Sequence, residues 1–187
     1  MPPVRRKVER ADARRNRARI IEVARSELAR RGTTIAMDDI AAAAGVGVGT
    51  LYRHFPTKQA LLAAVVEERI ASAASEAKRA ARSDAPGEAF FAFLERMWAE
   101  GAAKKDLVDA LGSGYDLRGA TSAASAELRR ALAILLRRAR ESGEVRSDAS
   151  VEDVLALLAA AMSARSRKGA SAARVFAIVC DGLRFSA

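Results

Sequence analysis

Residues 45–58, Gly-Val-Gly-Val-Gly-Thr-Leu-Tyr-Arg-His-Phe-Pro-Thr-Lys, constrain this chain more than any other stretch. Glycines at alternate positions, Gly45, Gly47 and Gly49, open a turn. A short helix follows, and Phe55-Pro56 stops it, because the residue before a proline is pushed out of the helical region. At about 100° per residue, Leu51 and Phe55 share one side of that helix while Gly49, Thr50 and Arg53 point the other way. The predicted helix has an apolar back and a polar front made of small residues.

Just upstream, residues 37–44 (MDDIAAAA) predict a second short helix. Ile40, Ala41 and Ala44 form its inward stripe, and Asp38 and Asp39 stand where the positive end of the helix dipole favours acids. Two short helices joined at Gly45-Val46-Gly47 make a helix-turn-helix over about residues 36–55, the unit that lays its second helix in the DNA major groove. A front of glycine and threonine lets such a helix sit deep, while the flanking hydroxyl of Tyr52 and imidazole of His54 reach phosphates. The bland alternative is a helical hairpin inside a core, and the charge distribution argues against it.

The chain carries 32 Lys and Arg against 23 Asp and Glu; residues 1–58 hold 13 and 6 of these, leaving 19 and 17 for the other 129. Nearly all the excess positive charge therefore lies beside the motif. Arg5, Arg6, Lys7, Arg10, Arg14, Arg15, Arg17 and Arg19 crowd the N-terminus, where apolar residues are scarce and Pro2-Pro3 argues against a helical start. This predicts a mobile basic arm over residues 1–13 that neutralises phosphates, with a solvated tail kept for solubility as the alternative.

The run IAAAAGVGVGTLYRHFPTKQALL, preceded by a helix ending in Gly32, resembles the DNA-binding domain of the TetR family of bacterial transcriptional regulators over about residues 14–65. The turn, the Leu-Tyr-x-His-Phe core and the lysine two residues after the proline all match in register. The segment LRRALAILLRRARESGEVRSDASVEDVLALLAA, with a closing helix ending in Asp181-Gly182-Leu183-Arg184, is similar to the effector-domain end of an actinobacterial-type branch of that family. One departure stands out. Such sequences usually place Thr or Ser as N-cap of the first short helix, whereas this chain has Ala36, which accepts no hydrogen bond and costs on the order of 1 kcal/mol there. Either the helix start shifts, or Asp38 and Asp39 compensate through the dipole.

The composition predicts an all-α protein: alanine and leucine abound, prolines fall only at 2, 3, 56 and 86, and no stretch alternates with the period of a strand. A three-helix head occupies residues 14–58, its first helix running from about Arg14 to Arg31 with Ile20, Ile21, Ala24 and Leu28 inward. The fourth helix begins after Pro56, with Thr57 as N-cap, and carries Leu61, Leu62, Val65, Val66 and Ile70 towards Arg82. No apolar run is long enough for a membrane span or a signal peptide, so a soluble cytoplasmic protein is expected. One cysteine and one histidine assemble no metal site within a chain, and no cofactor is expected. Cys180 is read as a buried inert thiol, with a redox sensor as the alternative. Acidic pairs such as Glu67-Glu68 and Glu152-Asp153 are adjacent and point about 100° apart on a helix, so no catalytic constellation is visible and an enzyme is disfavoured.

Ser83-Asp84-Ala85-Pro86-Gly87 reads as a linker within a helical ligand-binding and dimerisation domain over residues 59–187. Helices are predicted at 88–100, 104–111, 122–142, 151–167 and 171–185, with a glycine-bearing loop between the second and third. Phe90, Phe91, Phe93, Leu94, Met97 and Trp98 gather on one helix in a cluster wider than a single core stripe. They are either core or the wall of an apolar pocket, and the family resemblance implies a pocket walled by the middle helices. Phe90, Phe91, Leu94, Met97 and Trp98 are its candidate lining, with Tyr115 and Arg118 as polar contacts. Val154, Leu157, Leu158 and Ala161 form one stripe near the C-terminus, and Val175, Ile178, Val179 and Leu183 another. In the family, two such helices from each subunit build a four-helix dimer interface.

The expected function is thus a homodimeric, sequence-specific regulator, a repressor released from a palindromic double-stranded DNA operator by a small-molecule effector. Val48, Gly49 and Thr50 are expected at base edges, with Arg53 able to join them. Tyr52, His54 and Lys58 are expected on phosphate. A lysine in the first turn of a helix opposes the dipole unless an anion is near, and a DNA phosphate would be that anion. The alternative is a ligand-independent DNA-binding protein of low specificity whose C-terminal domain only dimerises.

Overall fold

The computed structural model describes the backbone of residues 3–101, 123–164 and 171–184, and within these the side chains from Asp12 onward. The predicted helix at 104–111, the glycine-bearing loop, Tyr115 and Arg118 lie outside the described residues. All described elements are helices; a single bridge between Val145 and Arg184 is the extended pairing among them. The described chain divides into two compact units, one through Glu68 and one from Arg69.

In the first unit, α1 spans Pro3–Arg31. It begins well before Arg14, so the expected arm over residues 1–13 is helical backbone from Pro3 on. A proline opposes a helix only in its interior; at the first position its missing N–H is one no helix would use, and its fixed φ suits the helix. Ile20, Ile21, Ala24 and Leu28 are buried as a stripe, and Gly32, at φ 74°, closes the helix by donating its N–H to the Leu28 carbonyl at 3.0 Å.

Helix α2 (Met37–Ala43) starts where the sequence places it, with Ala36 as an N-cap that makes no side-chain hydrogen bond. Ile35 and Ile40 occupy the two positions of a hydrophobic staple, N′ and N4, and both are buried. The start holds through apolar burial and two acids in the first turn, not through a cap. At the other end, Gly45 lies at φ 62°, and its N–H reaches the Ala42 carbonyl at 3.1 Å while that of Val46 reaches Ala41 at 3.0 Å. This pair of bonds is a Schellman motif, which requires the left-handed residue that glycine supplies. Helix α3 (Val48–His54) follows after Gly47, and α4 (Lys58–Ala80) starts under Thr57, whose Oγ1 accepts the Ala60 N–H at 3.1 Å.

In the second unit, Pro86 opens α5 (Pro86–Glu100), and the preceding turn is held by Ser83, whose hydroxyl accepts the Ala85 N–H at 3.2 Å. The remaining helices are α6 (Ala123–Glu141), α7 (Val151–Ala164) and α8 (Ala172–Leu183). Helix α5 packs on α6 and α7, α6 on α7, and α7 on α8. The core consists of Phe90, Phe93 and Leu94 from α5, Leu132, Leu135 and Leu136 from α6, Val154 and Leu158 from α7, and Phe176 and Leu183 from α8. A capping box starts α7: the Asp153 N–H reaches Ser150 Oγ at 3.1 Å, and the Ser150 N–H reaches Asp153 Oδ2 at 2.9 Å. The end of α8 is tied down by the Arg146 N–H on the Leu183 carbonyl at 3.0 Å and by the Arg184 guanidinium 4.1 Å from the centre of the Phe91 ring. No described helix is long and apolar enough to cross a membrane.

Candidate nucleic-acid interface

Burial from behind sets the orientation of α3. Leu51 is fully buried and Phe55 nearly so, which leaves the opposite side open. On that side Val48 and Tyr52 are each 43% exposed, Gly49 and Arg53 are exposed, and Thr50 and His54 are half-buried. A Cβ added at Gly49 would meet nothing within 4 Å, so no neighbour in the protomer accounts for a glycine there. Arg53 lies back along this front, its Nε donating to the Gly49 carbonyl at 3.2 Å and its Nη2 within 3.4 Å of Thr50 Oγ1. A guanidinium has five donors, so this arrangement leaves Arg53 able to take an acceptor from outside.

Two arginines counted with the basic N-terminus hold the frame of the motif instead. Arg19 Nη2 donates to the Gly45 carbonyl at 3.3 Å, and the Arg17 guanidinium stands 5.2 Å from the centre of the Phe55 ring. The signal for them was available: Arg17 and Arg19 flank the buried stripe that starts at Ile20. Arg31 pairs with Asp39 at 2.9 Å, joining the end of α1 to the first turn of α2. Lys58, expected on phosphate, donates from Nζ to the Ile35 carbonyl at 2.6 Å and is half-buried. The protein itself thus supplies an acceptor for the lysine that opposes the α4 dipole.

The aromatic cluster of the second unit divides. Phe90 and Leu94, two of the predicted pocket residues, are fully buried side chains of the core, and Phe93 joins them. Their burial follows from the packing of α5 against both α6 and α7, which covers more than one stripe. Phe91 and Met97 are buried nearer the surface. Trp98 is half-buried and stacked on Phe176, with ring centres 4.8 Å apart and planes 13° from parallel. A cleft of about 460 Å³ lies elsewhere, lined by Glu76, Arg79, Ala80, Ser83, Ala89, Ala92 and Arg96. It contains none of the residues predicted for the pocket, and an ion pair between Arg96 and Glu76 links its two walls.

The two C-terminal stripes also divide. Val154, Leu158, Ala161 and Leu183 are buried within the protomer itself. Helices α7 and α8 are small and apolar on more than one side, so periodicity selected the inward stripe. Leu157 and Ile178 are exposed, Ile178 at 63%, and Val175 and Val179 are half-buried. Cys180 is half-buried, and burial pushes its thiol up from the ordinary range, away from the reactive thiolate.

An all-α chain with an open-fronted helix-turn-helix followed by a helical bundle defines the class of helix-turn-helix regulators. Residues 20–65 match the model of bacterial regulatory proteins of the tetR family, and residues 85–185 that of the SbtR-like transcriptional regulator C-terminal domain. The chain belongs to the TetR family. A TetR transcription regulatory protein from Mycobacterium vanbaalenii is 44% identical, with a TM-score of 0.72 over 94% of this chain and 98% of that one. The TetR transcriptional regulator SCO0520 from Streptomyces coelicolor is 33% identical, with a TM-score of 0.70 over 91% and 99%. The HTH-type transcriptional regulator SAR0097 of Staphylococcus aureus (strain MRSA252) is 42% identical over 65 residues, an alignment that spans 33% of this chain and 34% of that protein.

Proposed function

We propose that this chain is a homodimeric, sequence-specific DNA-binding regulator, a repressor that leaves an inverted-repeat operator when a small molecule binds its second unit. The observation that carries the reading is the front of α3: exposed Val48 and Tyr52 beside a glycine that no neighbour in the protomer requires. Val48, Gly49 and Thr50 face base edges, Arg53 joins them, and Tyr52 and His54 hold phosphate from the flanks. A helix of seven residues reads only a few base pairs, so specificity calls for a second copy. Leu157, Val175, Ile178 and Val179, on the outer sides of α7 and α8, form the interface between copies. The identities of 44% and 33% favour a place beside the Mycobacterium and Streptomyces regulators within the family.

Release follows from differential affinity. An effector acts only if it binds one dimer geometry better than another, and the geometry it favours must misplace the two heads relative to successive major grooves. Helix α4 is the candidate lever, since residues 58–68 belong to one unit and 69–80 to the other. Phe91, Met97 and Trp98, at the edge of the aromatic cluster, are the side chains available to an apolar effector. Selecting duplexes from a random library on the full-length protein tests the reading: an inverted repeat is expected. Recovery of unrelated sequences would instead favour a low-specificity DNA-binding protein whose second unit only dimerises.

A further inference from the structure

Arg53 is held on α3 by one edge of its guanidinium and not by the other. At about 100° per residue, Gly49 and Arg53 stand opposite the fully buried Leu51, so the arginine leaves the helix at the centre of the open front. Its Nε donates to the Gly49 carbonyl, one turn back, at 3.2 Å, and its Nη2 reaches Thr50 Oγ1 at 3.4 Å. Nε–H and the adjacent Nη2–H form one donor edge of the planar fork, and α3 itself occupies that edge. The other edge, one N–H each from Nη1 and Nη2, takes no acceptor among the described residues. No carboxylate pairs with Arg53 among them either, whereas Arg30 and Arg31 are paired with Glu27 and Asp39. A long side chain loses rotamer freedom when it binds, and one already laid along its helix by two contacts loses less.

We propose that Arg53 reads a guanine in each half-site, and that Thr50 is its positioning residue. Guanine presents O6 and N7 side by side in the major groove, two acceptors that match two parallel N–H groups of an arginine. The open Nη1–Nη2 edge supplies that pair. Phosphates line the walls of the groove and lie towards the flanks of an inserted helix, whereas the centre of its front faces the base edges. Gly49, one turn before Arg53 and with open space where a Cβ would stand, adds no bulk between the helix and the bases. Thr50 faces the groove in the proposed function; its hydroxyl has the further task of turning the fork outward. The inference rests on the proposed function and adds to it which base the operator must supply.

The experiment uses the full-length protein and the duplex that the wild type selects from a random library. A guanine is expected at one position of each half-site. Replacing it with 7-deazaguanine, which keeps base pairing and O6 but lacks the N7 acceptor, should weaken wild-type binding about tenfold, and this arm needs no altered protein. Arg53→Met, which keeps much of the stem without its donors, should bind the guanine and 7-deazaguanine duplexes alike and lose the preference at that position, while preferences elsewhere in the half-site persist. Thr50→Val should reduce the preference for guanine at the same position about threefold or more, and Thr50→Ser, which restores the hydroxyl, should recover it. Equal losses for Arg53→Met on the selected and a random duplex, with a salt slope reduced by about 0.9, would identify a phosphate ligand and overturn the proposal. No loss with 7-deazaguanine, or a guanine that Arg53→Met still prefers, would overturn it and leave the proposed function standing. An unchanged preference in Thr50→Val would overturn the positioning role. If the wild type selects no sequence, the proposed function and this proposal fail together.

Discussion

At the scale of single residues, the two glycines that bracket the turn do opposite things with the same missing side chain. Gly45 sits at φ 62° in a Schellman motif, where its conformation is required although a Cβ would meet nothing within 4 Å. Gly49 sits in a helix, where its conformation is ordinary and glycine is a net cost. Gly45→Ala should therefore cost about 1–2 kcal/mol of stability from backbone strain alone. Gly49→Ala should leave stability unchanged or raise it by up to about 1 kcal/mol, while weakening binding to the selected duplex. Denaturant unfolding beside DNA titration of both variants checks the pair. A stable Gly49→Ala protein with undiminished DNA affinity would mean that the α3 backbone does not approach the bases. Sequence alone located both glycines but did not separate their roles, because the sign of φ is not written in a Gly-x-Gly-x-Gly pattern.

At the scale of elements, what periodicity dictates was legible and what packing decides was not. The start of α2, the stop of α3 before Phe55-Pro56, the uncapped Ala36, the Thr57 cap and the inward stripe of α1 follow from residue order and hold in the structure. The start of α1 was misread because dense charge and two prolines look like an arm, yet proline is at home in a first turn. The aromatic run on α5 and the stripes of α7 and α8 stayed ambiguous, since a helix covered on two sides is apolar over most of its circumference. Packing now orders the aromatic residues. Phe93→Ala, at a fully buried site, should cost about 3–5 kcal/mol. Trp98→Ala removes a half-buried ring stacked on one partner and should cost distinctly less, about 2–3 kcal/mol. Comparable losses in denaturant unfolding would make Trp98 core and remove it from the candidate lining.

Electrostatics between elements gives a further expectation. Lys78 on α4 and Arg130 on α6 both bond Glu127, and their hydrogen bonds hold its carboxyl down at about 2 against an ordinary 4.5. A carboxylate whose folded value is depressed contributes stability above its unfolded value and loses it as pH falls through the folded one. The Glu127 contribution should be complete above about pH 4.5 and gone near pH 2, with Asp153, lowered by Ser150 in the capping box, adding loss in the same direction. Because these groups are exposed, the effect is small. Acid titration of wild type against Glu127→Gln, followed by circular dichroism, should show a shallower decline for the variant between those limits. Parallel curves would show that the ion pair does not contribute.

At the scale of the whole molecule, the account depends on two copies acting together. Ile178 is 63% exposed in the protomer, so Ile178→Asp should change protomer stability by no more than about 0.5 kcal/mol. The same change places a charge on the proposed interface and should convert the dimer to monomer in sedimentation, with loss of DNA binding. A dimeric Ile178→Asp protein would move the interface off this face. The central claim, that paired α3 helices read two symmetric half-sites, is tested most directly by footprinting the wild-type protein on its selected duplex while counting the protomers bound. Two protomers and two protected major-groove segments related by a two-fold axis, about one helical turn apart or somewhat more, are the predicted result. One protomer on a single asymmetric segment, or protection without sequence preference, would contradict it.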